Sequence, residues 1–362
     1  MDFYLAPLEG ITGYIYRNAV REFFGEGIVK YFTPFIAPRQ GRGMKRNEER
    51  DILPENNKEL KLIPQILTKD AEDFLSLSQR IHEDYGYDEI NLNAGCPSKT
   101  VTTHGKGAAL LSDPEALDRL LDGIFSKSSL RISVKTRIGV ESEEEFGPIL
   151  EVYKRYPLSE LIIHPRTQTD GYGGQIRMAA FIRAFRECSF PVIYNGDIFN
   201  ITDYQEKMNV IRSSTPDGKL PPAVMLGRGL VFDPALAREL SRCDSKRLSS
   251  SGNGTPAGRT PADITPADLT PADCTPTDVT PADVSPADSA ASLTELRAFH
   301  DRIFTAYEEI LDGDTPLLFH MKELWGYMGR LFPEDAKKLK SIRKATKKAD
   351  YLTAVRSILP SP

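Results

Sequence analysis

SLRISVKTRIGVESEEEFGPILEVYKRYPLSELIIHPRT, residues 129–167, holds one full repeat of a pattern that organises the first part of the chain. A short run rich in β-branched residues, RISVKT (131–136), precedes a longer helix-like stretch, Glu143–Tyr156, and a second short run, ELIIH (160–164). Short apolar runs are expected of strands buried on both faces, as parallel strands are, and parallel strands need a crossover between them. On either side of this repeat, six more strands are expected at FYLAP (3–7), IVKYFTPF (28–35), KLIPQIL (61–67), DEINLN (88–93), PVIYN (191–195) and AVMLG (223–227). Helix-like stretches separate them, among them Ala71–Tyr85, Pro114–Phe125 and Met178–Arg186. Asp113 before Pro114 reads as an N-cap followed by proline at the first helical position. Only the connection between the second and third strands lacks a convincing helix. Eight strands with crossovers in about 240 residues fit an α/β fold of the (β/α)8, or TIM-barrel, class. A doubly wound sheet is the alternative, but no G-x-G-x-x-G follows the first strand.

The remainder reads differently. From Thr255 to Asp288 the chain repeats T-P-A-D with a period of five: TPAGR, TPADI, TPADL, TPADC, TPTDV, TPADV, SPADS. Proline at that frequency forbids helix and central strand, and so few large apolar side chains cannot offset the entropy of ordering. Residues 1–243 are therefore expected to form the barrel, 244–290 a low-complexity and disordered linker, and 291–362 a small all-α domain. In that last segment Leu293, Leu296, Phe299, Ile303, Tyr307 and Ile310 recur at helical spacing, as do Leu317, Met321, Leu324, Trp325 and Met328. The bland reading of both stripes is the core of a small bundle. KKLKSIRKATKK (337–348) follows, with seven Lys or Arg and no acid. Lys337, Lys340, Lys344 and Lys347 are expected along one helix face, an arrangement that follows a phosphate backbone.

Composition bounds the function. The 362 residues are 40% hydrophobic and 27% charged, with a formal net charge of −5, which argues against a protein that coats nucleic acid non-specifically. No run of roughly 18 apolar residues would span a membrane, and the first residues do not read as a secretion signal. Cys96, Cys188, Cys243 and Cys274 lie far apart with no C-x-x-C pair, as in a reduced cytoplasmic protein without a metal site.

In a barrel of this class functional residues sit at the C-terminal ends of strands. Seven of the eight expected strands end in polar or special residues: Pro7; Gln65; Asn93 with Cys96; Lys135 with Arg137; His164 with Arg166; Asn195 with Asp197; Gly227 with Arg228. NGD (195–197) and GRG (227–229) follow the last two strands, where such barrels commonly bind phosphate. Lys135 and His164, as cations or hydrogen-bond donors, would favour negative charge on a planar, polar cofactor. Cys96 lies in a loop beyond the fourth strand, with no Ser-His-Asp or Cys-His pairing evident, so a proton-donating thiol fits better than a hydrolytic nucleophile. Lys99, His104 and Lys106 are the cations near it in sequence and are expected to tune it.

Taken together, LAPLEGIT (5–12), NLNAGCP (91–97), VKTRIG (134–139), HPRT (164–167), YNGDI (194–198) and LGRGL (226–230) resemble the signature blocks of tRNA-dihydrouridine synthases. The resemblance runs in register from about residue 3 to residue 240. It implies an FMN-dependent enzyme that uses NADPH to reduce uridines of tRNA, passing a hydride from flavin N5 to C6 and a proton from Cys96 to C5. It further implies that Pro7, Leu8 and Glu9 line the flavin, that Gln65 hydrogen-bonds it, and that Lys135 and His164 face its polar edge. Asn195, Gly196, Asp197, Gly227 and Arg228 would hold ribityl chain and phosphate, Asn93 would orient the uracil, and Arg166 would help position RNA. Leu8 departs from the usual methionine and Asp170 from the usual glutamine. The alternative is a flavin barrel oxidoreductase for a free pyrimidine or enone, which would have no use for the basic segment.

Overall fold

The computed structural model describes residues 1–39, 43–250 and 291–360. Eight parallel strands close a barrel in sequence order: β1 (Asp2–Leu5), β2 (Ile28–Ile36), β3 (Leu62–Ile66), β4 (Glu89–Ala94), β5 (Arg131–Thr136), β6 (Leu161–Ile163), β7 (Val192–Asn195) and β8 (Ala223–Leu226). β8 returns to β1 through the pairs Asp2 with Ala223 to Leu5 with Leu226, so no edge is left open. All eight expected strands are present. Around them run α1 (Tyr14–Phe24), α2 (Arg46–Ile52), α3 (Ala71–Tyr85), α4 (Lys99–Thr102), α5 (Pro114–Phe125), α6 (Phe146–Tyr153) and α7 (Met178–Glu187). Next come α8 (Ile201–Ser213), α9 (Arg228–Phe232), α10 (Leu236–Ser250), α11 (Leu293–Ile310), α12 (Asp314–Met328), α13 (Ala336–Lys344) and α14 (Lys348–Arg356).

Local chemistry explains several boundaries. Asp113 caps α5 by accepting from Ala116 N at 3.0 Å, with Pro114 at the first helical position. Asp70 caps α3, and Gly86 ends it at φ 77°, the left-handed conformation glycine adopts without penalty. Pro34 sits where the β2–β3 register shifts, the place a strand tolerates a residue without a backbone donor. The link between β2 and β3, read from sequence as lacking a helix, contains α2. That helix buries little besides Glu48 and Ile52, so it carries no apolar stripe. Capping defines it instead, with Glu48 reaching back to Lys45 N at 2.8 Å.

Inside the barrel, Tyr4, Ala6, Phe32, Ile63, Ile162, Ile193 and Met225 fill the bore. Below them Lys30 Nζ meets Glu160 at 2.6 Å and Glu89 at 3.3 Å, and Tyr4 OH donates to Glu160 at 2.8 Å. This paired network closes the bottom of the bore, and the opposite end is left for chemistry.

The C-terminal helices are not a self-contained bundle. Phe299 of α11 packs edge-on against Tyr16 and Phe24 of α1, with ring centroids 5.8 and 5.5 Å apart. Arg238 to Glu295 (2.8 Å) and Arg302 to Glu22 (3.1 Å) cross the same boundary. Leu296, Phe299 and Ile303 are buried as the stripe suggested, whereas Leu293 is exposed. The T-P-A-D repeat, with Cys274, lies outside the described residues. The basic segment is not one helix: α13 ends at Lys344, Ala345 turns the chain at ψ 131°, and Lys347 is the extended N-cap of α14. Lys337, Lys340 and Lys344 share one face, and Lys347 stands beyond the break.

A buried relay holds these helices together. His300 is fully buried; its Nδ1 lies 2.8 Å from Asp301 and its Nε2 2.7 Å from Tyr351 OH, which also accepts from Trp325 Nε1 at 3.0 Å. Burial, opposed by Asp301, holds its pKa below the usual histidine value, so Nδ1–H donates to Asp301 and Tyr351 donates to Nε2. Tyr351→Phe would strand both the imidazole nitrogen and the indole N–H, at a cost of about 1–3 kcal/mol. A lower urea midpoint of the full chain checks this; an unchanged midpoint would remove the relay from the stability account.

Candidate functional site

At the C-terminal end of the barrel lies a cavity of about 350 Å³, the size of a small-molecule site. Pro7, Leu8, Glu9, Gln65, Asn93, Cys96, Lys135, His164, Asn195, Gly196, Asp197, Gly227 and Arg228, each expected from the sequence, all line it. Arg166 does not. It is buried behind the wall, where Nη2 pairs with Asp197 at 2.5 Å and Nη1 lies 3.3 Å from His164 Nε2. The basic residues Lys337, Lys340, Lys344 and Lys347 lie away from the lining, exposed, and none is in an ion pair among the described residues.

The Cys96 loop is built from β4. A chain of amides crosses the strand ends: Asn91 Nδ2 donates to Ser133 Oγ (2.9 Å), Gln65 Nε2 to Asn91 Oδ1 (2.8 Å) and Asn93 Nδ2 to Gln65 Oε1 (2.7 Å). Asn93 Oδ1 then accepts from Gly95 N at 3.1 Å and Cys96 N at 2.9 Å. Asn93 thus spends its acceptor on the loop and keeps one N–H for a ligand. Gly107, at φ 62°, supports the loop from below, where an added Cβ would come within 2.7 Å of Cys96 O.

Burial raises the pKa of the Cys96 thiol above the usual cysteine value, against the opposing pull of Ser98 N–H, Lys135 and Arg137. The thiol therefore holds its proton at neutral pH. Lys99, His104 and Lys106, its neighbours in sequence, do not line the cavity; the cations acting on the thiol are Lys135 of β5 and Arg137 just beyond its end.

Those cations make the floor positive. Lys135 Nζ has no hydrogen-bond or ion-pair partner among the described residues. Burial, and then Arg137, bring its pKa down to about 7. Burial and the surrounding cations push the pKa of His164 well down, so the ring is neutral. Arginine can only donate, so the Nε2 facing Arg166 is the acceptor and Nδ1 carries the proton. Asp197 joins Arg166 to Arg228, at 2.5 and 2.6 Å; burial would raise its pKa, but the two guanidiniums outweigh this and keep it ionised. Arg228 lies over the Tyr172 ring at 4.7 Å. Beside Asp197, Gly196 is closely packed: a Cβ there would meet Ile176 Cδ1 and Tyr194 OH at 3.0 Å, so those side chains would have to give by a few tenths of an ångström.

Tyr172, Glu323 and Tyr327 also line the cavity and were missed from the sequence. Glu323 and Tyr327 stand one turn apart on α12, so the C-terminal helices complete the mouth. Burial raises the pKa of Glu323. Only the i, i+4 spacing of a carboxylate and an aromatic residue could have hinted at them, and surface helices carry such pairs routinely. Among the described residues no cluster of His, Cys, Asp or Glu could hold a metal ion, and no helix is long and apolar enough to cross a membrane.

A family model described as dihydrouridine synthase (Dus) matches residues 4–256. The chain belongs to the dihydrouridine synthase family. The tRNA-dihydrouridine(16) synthase of Cupriavidus necator is 29% identical over 239 residues, 65% of this chain and 71% of that one. The enzymes of the same name from Escherichia coli K12 and Shigella flexneri are 36% and 35% identical, but over only 46% and 48% of their own lengths. Dihydrouridine synthases are generally flavin-dependent, and the lining suits a flavin on its own chemistry. An unpartnered lysine, a neutral imidazole and Arg228 line a cavity of small-molecule size, and these are groups that hold an anionic, heterocyclic ligand.

Proposed function

We propose that this chain reduces uridine in tRNA to 5,6-dihydrouridine, with FMN held at the barrel mouth and NADPH as reductant. The observation that carries this reading is the placement of the Cys96 thiol, which burial keeps protonated, on the wall of a cavity whose floor presents the unpartnered Lys135. Lys135, His164 Nδ1–H, Asn195, Gly196, Asp197, Gly227 and Arg228 hold the flavin, with Pro7, Leu8, Glu9 and Gln65 beside it. Bound there, the flavin supplies the hydride that reduces the C5–C6 double bond of uracil. The free N–H of Asn93 donates to a uracil carbonyl, and Cys96 delivers the proton that C5 requires. Arg166 serves by bracing Asp197 and His164 from behind. The target base must leave its stack to reach this depth.

Incubating the purified chain with unmodified tRNA, FMN and NADPH, then measuring dihydrouridine by mass spectrometry, tests the reading. Formation of dihydrouridine supports it. NADPH oxidation with no dihydrouridine would overturn it in favour of a free pyrimidine or enone.

Lys337, Lys340, Lys344 and Lys347 engage the tRNA backbone in this reading. Replacing all four by alanine is expected to weaken tRNA binding and to flatten log Kd against log salt by roughly 0.7–1 per lost phosphate contact. Flavin content should not change. A salt slope equal to that of the parent chain would place the RNA elsewhere.

A further inference from the structure

We propose that Arg137 is the positioning residue for the proton donor: one guanidinium ties the Cys96 loop to the loop bearing Tyr172, and the place of the thiol over the cavity depends on that tie. The inference rests on the reading of Cys96 as the acid. Arg137 lies at the end of β5 and is 1% exposed. Its Nε donates to Gly95 O at 3.0 Å, next to Cys96. Its other two nitrogens turn the opposite way, Nη1 to Thr167 O at 2.6 Å and Nη2 to Gly171 O at 2.7 Å, next to Tyr172. No carboxylate pairs with it among the described residues, so this buried cation is held by backbone carbonyls of two loops and by the Tyr172 ring, 5.6 Å away. Gly95 also lies close against the backbone at the end of β5, where a Cβ would come within 3.2 Å of Thr136 C and 3.4 Å of Arg137 N, so the Cys96 loop meets Arg137 through both backbone and side chain.

A planar fork of five donors is what three divergent carbonyls require, and lysine, a single point of charge, cannot span them. Arg137→Lys therefore separates geometry from charge, and Arg137→Met removes both. Both variants are made in the full chain with flavin bound and treated with iodoacetamide, and each cysteine is followed by peptide-resolved mass spectrometry. In Arg137→Lys, Cys96 should alkylate faster than in the parent chain as its loop loosens, with Cys188 and Cys243 unchanged. In Arg137→Met the pH midpoint of Cys96 alkylation should also move upward, because a cation that favours the thiolate has gone. Dihydrouridine formation by Arg137→Lys should fall about 10–100-fold in kcat, with KM for tRNA changed by less than about 3-fold.

Parent-like alkylation of Cys96 in both variants would overturn the proposal. So would a parallel rise at Cys188 and Cys243, which would make Arg137 a general structural support. The alkylation needs no tRNA, so a change confined to Cys96 upholds the tie even if the parent chain forms no dihydrouridine; that outcome would count against the proposed reaction alone.

Discussion

Cys96→Ala is expected to form dihydrouridine about 10²–10⁴-fold more slowly than the parent chain while retaining its flavin, because it loses the acid and none of the flavin-holding groups. Burial dominates the environment of the thiol and raises its pKa, and Lys135 and Arg137 only partly oppose this. A group with a raised pKa is fully protonated below the ordinary cysteine value and loses its proton only as pH rises through the higher one. Single-turnover reduction of tRNA should therefore be insensitive to this group at neutral pH and fall on the alkaline side. Cys96→Ser keeps a proton but on a far weaker acid, so its rate should lie between the two. Flavin absorbance and quantification of dihydrouridine separate loss of cofactor from loss of turnover. A Cys96→Ala chain turning over at the parent rate would remove the thiol from the mechanism.

The barrel was legible because its strands are buried on both faces. LIPQI, EINLN and VIYN must be apolar or hydrogen-bonded throughout, so they stand out as compact runs, and their polar last residues mark the working rim. Elements held by something other than apolar packing were not legible. α2 is defined by a capping contact and buries almost nothing. The basic segment looked like one helix because charges at helical spacing record no packing, and the break at Ala345 and Thr346 has no proline or glycine to announce it. Glu323 and Tyr327 become part of the site only because α12 docks across the barrel mouth, a tertiary event invisible in local spacing. Arg166 and Arg137 carry the same lesson. Arginines at strand ends read as groups aimed at a ligand, but Arg166 braces the wall from behind, and Arg137, although it lines the cavity, spends its three nitrogens on loop carbonyls.

Flavin affinity should fall as pH rises above 7, and Lys135 should be the cause. Its pKa lies at about 7, brought down by burial and by Arg137, so near neutrality the ammonium is only partly populated. A bound flavin that presents an acceptor to Nζ favours the charged form and raises that pKa. The sign follows: a group whose pKa rises on binding contributes fully below its unliganded value and loses that contribution as pH climbs toward the liganded one. Across that interval Kd should rise with a limiting slope of about tenfold per pH unit, because each binding event takes up a proton. Titration calorimetry with FMN at pH 7, in two buffers of different ionisation enthalpy, would register the uptake directly. Lys135→Met should abolish the uptake, flatten the profile and weaken binding at pH 6.5 by about 10–100-fold, the worth of one hydrogen bond to a charged group. Equal heats in both buffers, with parent-like affinity in the Lys135→Met chain, would mean that Lys135 does not meet the flavin, leaving the positive floor of the cavity to act on the substrate instead.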